Sequence, residues 1–199
     1  MILIATIGVY IFLQNTISLI FGDDTKSIRS GVVKEGINVF GARITPIQIT
    51  IIITAVIVLF SMIAFMKKTR IGKAMQAVAS DAKLAEISGI NSERVIMWAF
   101  AIGSGLAGLA GILYALDVDM TPTMGMPMLM MGIVAMIVGG VGSIPGIALG
   151  ALLLGFAKNF GAYYIGSQWQ DAIAFVILLL FLIFRPQGFA GKKVRSAEV

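Results

Sequence analysis

Apolar runs long enough to cross a bilayer recur along this chain, and its charges fall between them. About 20 apolar residues cross a hydrocarbon core. Inside that core a backbone must satisfy its own N–H and C=O groups, so each run has to become an α-helix. The runs cover residues 2–21, 46–66, 95–116, 128–139, 144–162 and 172–184. An all-α polytopic transmembrane helix bundle follows, with six membrane segments. The run 128–139 is too short to fix its path, and both a spanning and a re-entrant course stay open for it. The last run is also short unless Gln170 and Asp171 lie at its end.

Composition agrees. Of 199 residues, 58% are hydrophobic and 13% charged, against roughly half apolar and a quarter charged in soluble domains. With no Cys and no His, thiol chemistry and the usual metal ligands and general bases are missing. Nothing in the sequence calls for a catalytic residue, a metal or a bound cofactor. The net charge of +5 fits loops facing anionic lipid rather than nucleic acid. Residues 1–21 lack the basic start and cleavage site of a secretory leader and read as a first span.

Lys and Arg concentrate on the cytoplasmic side of membrane proteins. The loop 67–94 carries Lys67, Lys68, Arg70, Lys73, Lys83 and Arg94, and the tail carries Arg185, Lys192, Lys193 and Arg195. The four runs between them return the chain to the same side, which places both in the cytoplasm. The outward segments 117–124 and 163–170 then contain no Lys or Arg. Segment 23–45 departs mildly from the rule, with Lys26, Arg29, Lys34 and Arg43 offset in part by Asp23, Asp24 and Glu35. Tyr163, Tyr164 and Trp169 belong to the outer aromatic belt, and Trp98 to the inner one.

A chain that only turns round needs no insert such as 70–95, RIGKAMQAVASDAKLAEISGINSERV. Ala74, Val78, Asp81 and Ala85 recur at helical spacing and predict one continuous, shallow helix face bearing a single carboxylate. Gly89 suits a C′ stop, and Asn91 or Ser92 an N-cap with Glu93 in the first turn. A helix lying on headgroups wants bulky apolar anchors. This one offers mostly Ala, which favours docking against protein.

The pattern Gly72-Lys73-Ala74, Asp81, Ala85, Gly89-Ile90-Asn91 resembles the coupling segment of bacterial branched-chain amino acid ABC transporter permeases, a divergent relative of the EAA…G loop of importer permeases. The stretch from Ile4 to Asn15 (IATIGVYIFLQN), Arg43-Ile-Thr-Pro-Ile-Gln48, Gly139-Gly140-Val-Gly142-Ser-Ile-Pro145-Gly146 and Arg185-Pro-Gln-Gly188 look like the LivH-type branch. The resemblance implies one permease domain over residues 1–199, with a coupling segment at 67–94 that begins its docking surface at Arg70. It also implies ATP-binding partner subunits that hold the ATP and Mg, a LivM-type second permease or a second copy, and an extracytoplasmic amino-acid-binding protein. LivH-type permeases carry further spans before the IFLQN stretch, so the chain resembles their C-terminal two-thirds. A urea or amide permease of the same superfamily is the nearest alternative.

Other features have plainer readings. The pairs Ser104/Gly108, Ala107/Gly111, Gly146/Gly150 and Ala151/Gly155 predict close helix packing in 95–116 and 144–162. The turn 139–146 lacks the Gly-Lys-Ser/Thr ending of a phosphate loop and reads as a tight turn between membrane segments. Met124, Met126, Met128, Met130 and Met131 suit flexible apolar packing better than a soft-metal path. Gln14 and Asn15, adjacent amides inside a span, serve either as helix glue or as contacts in a substrate path. No acidic residue lies mid-span, which argues against a proton- or sodium-coupled carrier and for energy supplied from outside the chain. A self-contained channel or carrier for a small polar solute is the competing class, and only the importer reading needs the 70–95 insert.

Overall fold

The computed structural model describes residues 2–27, 37–39 and 42–191. Arg29, Lys34, Glu35 and the side chain of Arg43 lie outside the described residues, as do Lys192, Lys193 and Arg195. The elements run α1 (Ile2–Phe21), β1 (Ile37–Val39), β2 (Ala42–Ile44), α2 (Pro46–Lys68), α3 (Arg70–Ser80), α4 (Ala82–Ile87), α5 (Ser92–Val118), α6 (Gly125–Gly139), α7 (Ile144–Tyr164) and α8 (Gln170–Phe184). A 3₁₀ turn at Ser167–Trp169 leads into α8. Five of these segments are long and apolar enough to cross a membrane. The helical bundle is as expected, with one addition: β1 and β2 pair antiparallel as a short hairpin within segment 23–45.

The span limits follow from side-chain transfer energy and from local caps. Helix α1 occupies the expected 2–21. Helix α2 opens on a capping box: the Gln48 N–H donates to Thr45 Oγ1 at 3.4 Å and the Thr45 N–H to Gln48 Oε1 at 3.2 Å. Pro46 adds a residue whose missing N–H costs nothing in a first turn. Helix α8 begins at Gln170 with Asp171 in its first turn, where a carboxylate suits the helix dipole. Helix α6 has 15 residues, or about 22 Å at 1.5 Å per residue, short of a full hydrocarbon crossing.

The chain forms two compact units, Met1–Gly125 and Met126–Val199. In the first, α3 packs on α2 and α5, and α4 packs on α3 and α5. Lys26 and Met120 exchange backbone hydrogen bonds of 2.9 and 2.8 Å, tying the end of α1 to the end of α5. In the second, Val134, Ala135 and Val138 of α6 meet Leu154 of α7 and Ala174 of α8 in a small buried cluster. Met131 joins that cluster, while Met126 and Met130 are exposed. Lys158 of α7 forms an ion pair with Asp171 of α8 at 3.1 Å.

The glycine-rich turn does more than join α6 to α7. The segment after α8, which contains Arg185-Pro-Gln-Gly188, folds back onto it. The Phe189 N–H donates to the Val138 carbonyl at 3.0 Å and the Ala190 N–H to the Gly139 carbonyl at 3.1 Å. Two end carbonyls of α6, which have no partner within their own helix, are thereby satisfied. The rings of Phe189 and Phe181 lie 4.9 Å apart and hold the return in place. Ser143 caps α7 by accepting from the Gly146 N–H at 3.2 Å. Here backbone touches backbone. A Cβ on Gly188, which has φ +70°, would lie 2.5 Å from the Gly140 nitrogen, and one on Gly150 would lie 2.6 Å from the Gly139 nitrogen.

The small residues of α5 behave differently. A Cβ added to Gly108 or Gly111 would meet nothing within 4 Å. Within this chain close packing is seen at Gly146 and Gly150, where α6 approaches, and not at Gly108, Gly111 or Gly155. Small residues permit close approach; they do not supply the neighbour.

Gly188→Ala should therefore destabilise the purified protein by about 1–3 kcal/mol through overpacking and backbone strain, read as a lower melting temperature in detergent. Gly108→Ala should leave that temperature unchanged or slightly raised, since Ala is the better helix former. Equal shifts in both variants would contradict the tail-and-turn junction.

Candidate functional site

The segment from α3 to the start of α5 is a platform built by successive helix caps. Thr69 serves two helices at once. Its hydroxyl donates to the Phe65 carbonyl at 2.7 Å, closing α2, and accepts from the Gly72 N–H at 3.0 Å, opening α3. Lys67 and Lys68 stand in the last turn of α2, where cations suit the dipole. The Gln76 amide donates back to the Met66 carbonyl at 2.9 Å. At this corner α3 touches the α2 backbone: a Cβ on Gly72 would lie 2.7 Å from Met66 Cα.

The expected continuous helix face does not exist. Asp81 has extended backbone and separates α3 from α4, and its Oδ1 accepts from the Leu84 N–H at 3.1 Å. The carboxylate serves as an N-cap. The reason is the competition that short acidic side chains offer to helical hydrogen bonding, which favours Asp at caps over helix interiors. Ala85, placed by periodicity on that same outer face, is buried at 4% exposure. It packs inward.

The stop and restart follow the expected chemistry. Gly89 has φ +82°, a conformation in which a Cβ is strained. The Gly89 N–H donates to Glu86 O at 2.9 Å and the Ile90 N–H to Ala85 O at 3.0 Å, the pair of bonds that defines a Schellman stop. Of the two candidate caps for α5 it is Asn91 that acts, accepting from the Arg94 N–H at 3.0 Å. Glu93 lies in the first turn. Ser92 is buried instead, and its Oγ has no hydrogen-bond partner.

The residues singled out from sequence thus divide by task. Gly72, Asp81, Ala85, Gly89 and Asn91 build the platform. Arg70, Lys73 and half-buried Ala74 and Ile90 lie at its surface or edges. The large exposed apolar residues of α4 were not among those expected. On α4, Leu84 and Ile87 are 62% and 83% exposed, flanked by exposed Lys83 and Glu86. Their signal was legible in principle, as two large apolar residues three apart in a segment otherwise small or polar. Among the described residues no cluster of metal-ligating side chains occurs.

The other candidates lie elsewhere. The Asn15 amide donates to the Ile11 carbonyl of its own helix at 2.8 Å, and the side chain is exposed. Gln14, one residue away, is half-buried. Gly139, Gly140, Gly142, Pro145, Gly146 and Gly150 gather at the α6–α7 turn, with Gly140 and Gly142 at positive φ.

Comparison with known proteins gives this geometry a context. The family described as branched-chain amino acid transport system / permease component matches residues 1–182. The chain is 38% identical over 197 residues to the high-affinity branched-chain amino acid transport system permease protein BraD of Pseudomonas aeruginosa, covering 96% of this chain and 64% of that protein. It is 36% identical over 196 residues to the permease protein LivH of Escherichia coli K12, covering 96% and 63% respectively. The chain therefore spans under two thirds of the length of these relatives. No solved structure matches.

The cap assignment makes a direct prediction. Asp81→Ala should weaken α4 by about 1 kcal/mol, so that amides 84–90 exchange hydrogen roughly fivefold faster by mass spectrometry. Asp81→Asn, which retains an acceptor oxygen, should keep most of the protection. Unchanged exchange in Asp81→Ala would show that α4 does not depend on this cap.

Proposed function

The chain belongs to the family of branched-chain amino acid transport system permease components, and from that premise we propose that it is the membrane-spanning part of an ATP-driven importer of branched-chain amino acids. It is a multi-pass membrane protein. Its place would be the cytoplasmic membrane of a bacterium or archaeon, with the 67–94 loop and the tail in the cytoplasm by the distribution of Lys and Arg. The chain itself would carry out no catalysis and hold no cofactor; ATP and Mg would bind to partner ATPase subunits. A second permease of LivM type or a second copy would complete the pathway, and an extracytoplasmic binding protein would deliver the amino acid.

The observation that supports this reading best is an exposed apolar pair on a rigid platform. Leu84 and Ile87 offer an apolar patch suited to a groove on an ATPase subunit. Interface energy is concentrated in a few such side chains once they are desolvated. The platform below them is tight. Gly72 seats α3 against the end of α2, and α3 and α4 pack on α5. Close-packed protein has low compressibility, so a push on α4 reaches α2 and α5 as a displacement. ATP-driven movement of the partner would in this way reorient two membrane spans, with Leu84 and Ile87 as its points of contact.

Co-purification with the cognate ATPase subunit tests the docking half. Leu84→Asp and Ile87→Asp should each lower ATPase affinity by at least about thirtyfold, the effect of losing a central hot spot, with helix content and yield unchanged. Folded variants that retain the ATPase at the original level would refute docking through α4. Uptake of labelled leucine by cells carrying the complete system tests the substrate half. Isoleucine and valine should compete and urea should not. Uptake of urea without uptake of leucine would move the assignment to the amide-transporting branch.

A further inference from the structure

Beside the docking face, α3 and the first turns of α5 enclose an open groove of about 300 Å³. Arg70 and Arg94 line it with Ile71, Val95 and Trp98, and no carboxylate is among the lining residues. Among the described residues the ion pair formed is Lys158–Asp171, so neither guanidinium is neutralised by an acid. Arg94 lies in the first turn of α5, where the helix dipole adds further positive potential. Trp98 follows one turn later and is 49% exposed. Further along the same face of this membrane span lie the uncharged residues Ala101, Gly105 and Leu109, all exposed.

We propose that this groove seats the phosphate of an anionic phospholipid, with the glycerol and first acyl carbons against Ile71, Val95 and Trp98. Three features favour a lipid. Two unpaired guanidiniums suit one phosphate, which Arg binds through paired N–H donors. Trp marks the headgroup level of a bilayer, where its ring is half apolar and its N–H remains wet. The face of α5 that carries Arg94 and Trp98 also continues without charge into the span, so a headgroup held there leaves its chains in the hydrocarbon. Basic pockets beside membrane helices bind anionic headgroups for these reasons. A soluble anion would make no use of the apolar wall. The groove uses α3 and α5, so its occupancy is separable from docking through Leu84 and Ile87 on α4.

The chain contains two tryptophans, which makes the test clean. In Trp169→Phe, fluorescence reports Trp98 alone. The full chain in nanodiscs would be titrated with brominated phosphatidylglycerol and, separately, brominated phosphatidylcholine as quenchers. The phosphatidylglycerol lipid should quench Trp98 at much lower mole fraction. That preference should fall about fivefold for each arginine removed in Arg70→Gln and Arg94→Gln, and largely survive in Arg70→Lys and Arg94→Lys. Equal quenching by the two lipids in the otherwise unaltered groove overturns the proposal, whatever the folding of the arginine variants. A preference that survives loss of both arginines also overturns it. Abolition of the preference by millimolar inorganic phosphate would assign the groove to a soluble anion, and its abolition by added ATPase subunit would assign it to a protein surface; either result overturns the lipid assignment.

Discussion

A backbone carbonyl that enters a membrane without a partner has no water to turn to, and the architecture of this chain turns on how its helix ends meet that demand. Helix interiors solve the problem automatically. Ends do not, and each described solution is distinct. Thr45 and Gln48 exchange bonds at the start of α2, and Thr69 closes α2 while opening α3. The α6 carbonyls of Val138 and Gly139 take their donors from a segment 51 residues further on, Phe189 and Ala190. The glycines at that junction are required because main chain must approach main chain closely enough to bond.

The same logic shapes the 70–91 platform, where short polar side chains cap helices one after another and fix the direction of each. The motif residues and the exposed apolar residues therefore differ. Gly72, Asp81, Ala85, Gly89 and Asn91 are recognisable in sequence because the backbone there tolerates few alternatives. Leu84 and Ile87, exposed between them, face whatever the platform meets. Stiffness and apolar exposure are thus carried by different residues of the same platform.

Span positions were legible because hydrophobicity accumulates over twenty residues, and the 2–21 boundaries of α1 coincide with the apolar run. Gly89 and Asn91 were legible because their chemistry is local. The Asp81 break was hidden by a coincidence of spacing: residues 74, 78, 81 and 85 fit one helix face, yet a single hydrogen bond to the Leu84 N–H was enough to divide it. The union of tail and turn was invisible, since no charge or periodicity links Arg185-Pro-Gln-Gly188 to residues 139–146. At Gly108 and Gly111 no neighbour from this chain approaches, because small side chains record a capacity for contact and say nothing about what fills it.

The central claim is that α4 presents Leu84 and Ile87, and turns Ala85 away. A chain without cysteine allows this to be measured by single-cysteine cross-linking in membranes that contain the ATPase subunit. Cysteines at positions 84 and 87 should form cross-links to the ATPase, with yield that changes when ATP is added, and cysteines at the buried positions 75 and 85 should form none. Cross-links from 75 and 85 equal to those from 84 and 87, or none from any of the four, would contradict the account.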